Sequence, residues 1–185
     1  MDAAIPLEHS EEDFIKACVH RERWAQKMLY EKYYSGMIGV CLRYSSNREE
    51  ALDILHDGFI KVFNNIKQYK PGTSLYSWMR RIMINTAIDH FRKEKRRRTD
   101  DLENAPNQAS QEPGAISRLT EQEILSSVQQ LSPVYRTVFN LYVIEGFSHR
   151  EVASVLDISE STSRSNLAKA RANLRDMLRD KMNRS

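Results

Sequence analysis

Apolar residues along this 185-residue chain recur at intervals of three and four and rarely alternate, which is the spacing of a buried helix face rather than a half-buried strand. Six glycines and five prolines leave few interior breaks, so the pattern predicts an all-α protein. Trp24, Met28, Ile38, Cys41 and Leu42 fit one side of a long helix ending near Tyr44. Asn47, with Glu50 three residues on, has the spacing of a capping box for a second helix, whose inward stripe would be Leu52, Leu55, Phe59, Phe63 and Ile66. Pro71-Gly72-Thr73-Ser74 supplies a turn and a new cap, after which Leu75, Trp78 and Ile82 open a third long helix.

From Thr99 to about Ser117 the periodicity stops. Asn107-Gln-Ala-Ser-Gln-Glu-Pro-Gly114 has almost nothing to bury, so residues 99–117 read as a flexible linker between two small helical domains, 1–98 and 118–185. Fully extended, about 20 residues at about 3.3–3.6 Å each reach roughly 65–70 Å, close to two turns of B-DNA. Beyond it the capping signals are explicit: Thr120 with Glu123, Ser132 before Pro133, Ser148 with Glu151, and Gly146 as a left-handed stop. They predict a four-helix domain with helices near 120–131, 133–145, 149–156 and 160–181.

The last two helices have the pattern of a helix-turn-helix. Ala153 is the small residue needed where the helices cross, and Asp157 occupies the turn position that demands left-handed dihedrals. Val152, Leu156, Ile158 and Leu167 would form the shared core, with Ser159 capping the second helix. Glu160, Ser161, Arg164, Ser165 and Lys169 then fall on or near its exposed early face. Arg164 and Asn166 are suited to base edges, where a good bidentate contact discriminates by about 1–3 kcal/mol. Arg171 continues the cationic series along this helix.

Charge sharpens this picture. The net charge is only +3, with 28 basic and 25 acidic residues, but it is clustered. His90-Phe-Arg-Lys-Glu-Lys-Arg-Arg-Arg98 is strongly cationic, the last helix carries Arg164, Lys169, Arg171, Arg175 and Arg179, and the first thirteen residues hold five acids. Such clustering suits a polyanion. Two cysteines are too few for a disulfide framework, and Cys18-Val-His20 lacks the further ligands of a zinc site, so no metal or cofactor is expected. No apolar stretch approaches the roughly 20 residues of a membrane span, and the acidic start is wrong for a signal peptide, so a soluble, cytoplasmic protein is expected. Enzyme chemistry is not expected either: His56 with Asp53 and Asp57, or Asp89 with His90, have no identifiable nucleophile or orienting partner, and no Gly-rich phosphate loop exists.

Two helix faces remain to be explained. Asp53, His56 and Asp57, at i, i+3 and i+4, share a polar face opposite the Leu52, Leu55, Phe59 stripe. On the third helix Trp78, Ile82, Asn85, Asp89 and Arg92 lie along one side; Asp89 and Arg92 are also spaced for a simple ion pair, worth about 0.2–0.5 kcal/mol.

Glu49-Glu-Ala-Leu-Asp-Ile-Leu-His-Asp-Gly-Phe-Ile-Lys-Val-Phe63 followed by the segment from Ser74 to Arg98 resembles region 2 of the sigma-70 family, in its extracytoplasmic-function (ECF) group, and the terminal domain resembles region 4. The resemblance implies that Asp53, His56 and Asp57 meet the β′ clamp of core RNA polymerase and that region 4 docks on the β flap. It implies that the loop Asn64 to Ser74 and the face carrying Trp78, Arg81, Asn85, Asp89, Arg92, Lys93 and Arg96 capture the melted minus-10 strand, a base being held by the loop. Cationic side chains including Arg80 and Lys95 would hold phosphates. Glu160, Ser161, Arg164, Ser165, Asn166, Lys169 and Arg171 would read minus-35 duplex. An anti-sigma factor is an implied partner. Ser163, where the family carries an apolar residue, and Asn166, where a basic one is common, depart from the pattern. The rival reading is a stand-alone helix-turn-helix regulator with an N-terminal sensor or dimerisation domain.

Overall fold

In the computed structural model, residues 10–100 and 121–183 are described, and every regular element among them is helical. The order is α1 (Glu11–Val19), α2 (Arg23–Tyr44), α3 (Arg48–Asn65), a 3₁₀ turn at Ile66–Gln68, α4 (Leu75–Asp100), α5 (Glu121–Gln130), α6 (Pro133–Phe139) running into a π-helical turn at Asn140–Ile144, α7 (His149–Leu156) and α8 (Glu160–Asn183). Helix α4 continues to Asp100; the rest of the predicted linker, 101–117, and the Thr120 cap lie outside the described residues. The chain divides into two units. One holds the residues up to Cys41 with Glu49–Ala87, the other Leu42–Arg48 with Ile88 onward.

Helix α1 is absent from the periodicity reading because its acidic start reads as a charge run. That same run favours it: Glu11, Glu12 and Asp13 occupy the first turn, where the helix dipole favours anions, and the Ser10 hydroxyl accepts from the Asp13 amide at 3.1 Å. Phe14, Ile15, Ala17 and Cys18 are its buried face.

The boundaries of α2 to α4 agree with the capping signals, and Ile38, Cys41, Leu55, Phe59, Ile66 and Leu75 are buried as expected, while other expected members lie at the margins or outside. On α2 the inward residues include Ala25, Leu29, Met37, Ile38, Val40 and Cys41. Trp24, expected inside, is 39 % exposed, its ring 6.3 Å from that of Phe14. A small residue, Ala25, takes the inward place that size alone assigned to the tryptophan. On α3 the buried row is Ala51, Ile54, Leu55, Gly58, Phe59 and Val62, with Leu52 and Phe63 at its margins. On α4 it is Leu75, Met79, Met83 and Ala87, leaving Trp78 and Ile82 half-buried.

Gly58 lets α3 and α4 approach closely, since a Cβ there would overlap the sulfur of Met83, which is fully buried. Alanine is the better helix former by about 1 kcal/mol, whereas overpacking costs about 1–3 kcal/mol. Gly58→Ala is therefore expected to lower stability by up to about 2 kcal/mol in urea unfolding, with part recovered on adding Met83→Val.

In the second unit Val128, Leu131, Ala170 and Leu174 form a cluster with Tyr135, Phe139 and Met177 packed against it. Val138, Leu141, Val152, Leu156 and Leu167 are also buried. Ser132 precedes Pro133 as predicted, but its side chain does not cap α6; its carbonyl accepts from the Arg136 amide at 2.9 Å. Arg136 is itself 1 % exposed, and its Nη1 donates to the Gln129 carbonyl at 2.7 Å, a buried charge that periodicity does not signal. Gly146, at φ 77°, ends the helix as expected.

Candidate nucleic-acid and partner interfaces

Because α3 buries Ile54, Leu55 and Phe59, its opposite side must face outward. Asp53, His56 and Asp57 are all exposed there, and the structure brings Ile60 into the same row, one turn further on. Ile60 is 58 % exposed, so an apolar side chain stands beside the three polar ones. Ile60 is not among the candidates read from the sequence, although the i, i+3, i+7 spacing from Asp53 places it on this face. A polar row with an exposed apolar member suits a protein partner better than solvent alone.

The segment before α4 is a shaped turn. Pro71 and Gly72, with Gly72 at φ 84°, occupy the two central positions of a β-turn closed by the Thr73 amide on the Lys70 carbonyl at 3.3 Å. Ser74 caps α4 through its hydroxyl and the Ser77 amide, 3.2 Å apart. Lys67, Lys70, Thr73 and Ser74 are exposed, while Tyr69 turns inward, 4 % exposed, with its ring 5.8 Å from that of Trp78. Its single hydroxyl hydrogen is shared between the Glu11 carboxylate, 2.7 Å away, and the Thr73 carbonyl. Burial, and after it the bond to Glu11, push this hydroxyl up to about 12, so it remains a donor at neutral pH.

Along α4, at about 100° per residue, Arg81, Asn85, Asp89, Arg92, Lys93, Arg96 and Trp78 fall within an arc of roughly 120°. Arg81, Asn85, Asp89, Lys93 and Arg96 are exposed, and Trp78 and Arg92 lie among them half-buried. Asp89 and Arg92 approach to 3.8 Å, and the Arg92 Nε also donates to the Val155 carbonyl at 2.9 Å. The stripe thus combines cations, an amide, a carboxylate and an aromatic edge, which matches what an unstacked strand offers: phosphates, Watson-Crick edges and base faces.

In the helix-turn-helix, Asp157 takes the left-handed position, φ 53° and ψ 57°. Ser159 caps α8 through the Thr162 amide at 3.0 Å. Val152, Leu156 and Leu167 are buried as expected, with Ile158 only half-buried. Glu160, Ser161, Arg164, Ser165, Lys169 and Arg171 are exposed, and Arg164 reaches back to Glu160 at 3.4 Å. Asn166 is half-buried, two residues from Arg164 and so about 160° round the helix from it, and the two do not share a reading face.

Ser163 is fully buried, and its hydroxyl lies 2.9 Å from Nδ1 of His149. His149 stacks on Tyr142, centroids 4.2 Å apart, and Arg171 lies over the same Tyr142 ring at 5.9 Å. A polar pair therefore fills the seam between α7 and α8, its burial offset by the bond. The histidine partner was not foreseen; only the unusual serine hinted at it.

The Ser148 capping box is complete, with the Ser148 amide on Glu151 Oε2 at 2.8 Å and the Glu151 amide on Ser148 Oγ at 3.2 Å. Side-chain and then backbone bonds from Ser148 hold the Glu151 carboxyl below its ordinary value. A depressed folded value means the box is at full strength above the ordinary glutamate range and weakens as pH falls through the lowered one. The protection of the Ser148 amide, its exchange compared with the intrinsic rate at the same pH, is expected to fall on acidification in the parent, but not in Glu151→Gln, whose amide oxygen accepts at any pH.

Two units, helical throughout the described residues, with a helix-turn-helix in one of them and an exposed cation-bearing stripe on α4, have the character of a DNA-reading protein. The sigma-70 region 2 model matches residues 29–97 and the sigma-70 region 4 model residues 121–174. Among curated relatives, the chain is 25 % identical to RNA polymerase sigma-H factor of Pseudomonas aeruginosa, over 89 % of this chain and 91 % of the relative. It is 32 % identical to ECF RNA polymerase sigma factor SigE of Mycolicibacterium smegmatis, over 74 % of this chain and 54 % of the relative. A solved structure of the sigma factor RpoE of Bartonella quintana, in complex with the anti-sigma factor NepR, shares the fold with a TM-score of 0.51 at 22 % identity, covering 84 % of this chain and 96 % of that one. The chain belongs to the sigma-70 family of RNA polymerase sigma factors, in its ECF group. No helix among the described residues is long and apolar enough to cross a membrane.

Proposed function

We propose that this ECF sigma factor binds core RNA polymerase through the exposed α3 row Asp53, His56, Asp57 and Ile60 and reads promoters with two separate surfaces. The α8 face from Glu160 to Lys169, with Arg171, reads minus-35 duplex, and the β-turn before α4 with the stripe from Trp78 to Arg96 captures the melted minus-10 strand. The observation that carries this is the exposed α4 stripe, which offers groups for phosphates and for unpaired bases on one side of one helix, in a chain that also holds a duplex-reading motif. A duplex-only regulator has no use for such a stripe. The reading assigns residues 1–98 to polymerase and minus-10 binding and 118–185 to minus-35 reading and the β flap, with 99–117 as the tether.

No catalytic step is assigned to the chain, and it requires no cofactor: binding energy to flipped bases offsets the few kcal/mol, about, lost in unstacking. It acts in the cytoplasm, where polymerase and promoter are, and an anti-sigma factor is the natural regulator, in line with the complex in which the Bartonella structure was solved. The test is in-vitro transcription by purified core on a promoter library. Specific transcripts dependent on the added chain are expected. Binding to a palindromic site without core, and no stimulated initiation with any compatible core, would instead point to the stand-alone regulator.

A further inference from the structure

The loop that the proposed function gives to strand capture is tied to a part of the chain that function has not used. Of the acidic run opening α1, Glu12 and Asp13 are exposed, but Glu11 turns toward the β-turn before α4. Its Oε1 accepts from the Tyr69 hydroxyl at 2.7 Å and its Oε2 from the Gly72 amide at 3.1 Å. One carboxylate thus spans the turn across 58 residues of sequence on one side and 61 on the other. The same Tyr69 hydrogen is shared with the Thr73 carbonyl, and the Tyr69 ring packs near Trp78, the first aromatic of the α4 stripe. The backbone from Tyr69 to Thr73 is thereby fastened from within, while Lys67, Lys70, Thr73 and Ser74 stay exposed on its outer side.

We propose that Glu11 is a positioning residue for minus-10 strand capture, a latch that sets the 69–73 turn in its binding shape before DNA arrives. This rests on the reading of that turn and the α4 stripe as the strand-binding surface. The physical reason is preorganisation: a turn already ordered in the free protein loses little conformational freedom when it closes on a base, whereas an unlatched turn must be ordered by the ligand. Bonds to a charged acceptor are among the stronger ones in proteins, so one carboxylate holding two donors is sufficient for the task.

The experiment uses the full chain with core polymerase and a fluorescent single-stranded oligonucleotide carrying the minus-10 element of a promoter it transcribes. Glu11→Ala is expected to weaken strand binding roughly tenfold, with core affinity and minus-35 duplex binding unchanged. Glu11→Gln should fall between, because its amide oxygen still accepts from one donor. Tyr69→Phe should weaken binding too, and Glu11→Ala with Tyr69→Phe should cost less than the two losses multiplied, since they share a bond. Hydrogen exchange at the Gly72 amide should quicken in Glu11→Ala and not in Glu12→Ala. Should Glu11→Ala unfold α1, seen as loss of its amide protection, the size-conserving Glu11→Gln and Tyr69→Phe carry the comparison. Parent-like strand binding in those two, or an equal loss in Glu12→Ala, overturns the latch. Replacing Lys67, Lys70 and Asn85 by Ala separates the two claims. If that triple variant binds strand like the parent, the strand-capture reading itself fails; if it loses binding while the Glu11 variants do not, only the latch fails.

Discussion

Asp53→Lys combined with Asp57→Lys is expected to abolish promoter-specific transcription by added core while leaving the chain folded. Both residues are exposed on α3, opposite the row that holds Ile54, Leu55 and Phe59, so neither change touches the core of the first unit. Exposed substitutions of this kind alter stability by about 0.5 kcal/mol at most. At an interface the arithmetic differs. Removing one member of a desolvated charge pair costs about 2–5 kcal/mol, and reversing it adds repulsion, so two reversals should weaken core binding by 100-fold or more, on the order given by such pairs. Ile60→Ala removes an apolar anchor without charge conflict and should cost less, about 1–2 kcal/mol or roughly five- to thirtyfold. The measurement is labelled-chain anisotropy against core, with minus-35 duplex binding as control for the second unit. Unaltered core affinity in the double reversal removes this face from the interface.

The three polar members of this α3 face follow from helix periodicity alone, since spacing i, i+3, i+4 has only one geometric meaning on a helix. The bounds of α7 and the start of α8 were legible to the residue, because Ser148, Asp157 and Ser159, like Gly146 before them, are local signals whose physics is settled by the backbone beside them. What could not be read depends on contacts distant in sequence. Trp24 lies outside because Ala25 fits inward, and α1 was hidden because its acids look like a solvated run until a turn some 60 residues on supplies partners for one of them. Ser163 looked like a gap in an apolar seam; His149 fills it from the neighbouring helix. Asn166 was grouped with Arg164 on chemical suitability, yet two positions on a helix point nearly opposite ways.

Arg81, Lys93 and Arg96, all changed to Ala, should separate strand capture from every other property of the chain. The three lie exposed on the α4 stripe, away from Met79, Met83 and Ala87, so folding should be little affected. If each neutralises one phosphate, its removal lessens the dependence of log affinity on log salt by about 0.7 for single-stranded DNA, so three together lower the slope by about 2. At moderate salt that corresponds to a loss of strand affinity of about 10²–10³, the exact figure falling as salt rises because the lost contacts are the salt-sensitive ones. Asn85→Ala makes the informative contrast. An amide that reads a base edge contributes discrimination and not counterion release, so this variant should keep the parent salt slope while relaxing the preference among minus-10 sequences. Strand titrations from low to high salt with core-bound protein check both. A triple variant with the parent slope would place the phosphates elsewhere, and an Asn85→Ala variant that loses slope but not preference would make Asn85 a backbone contact.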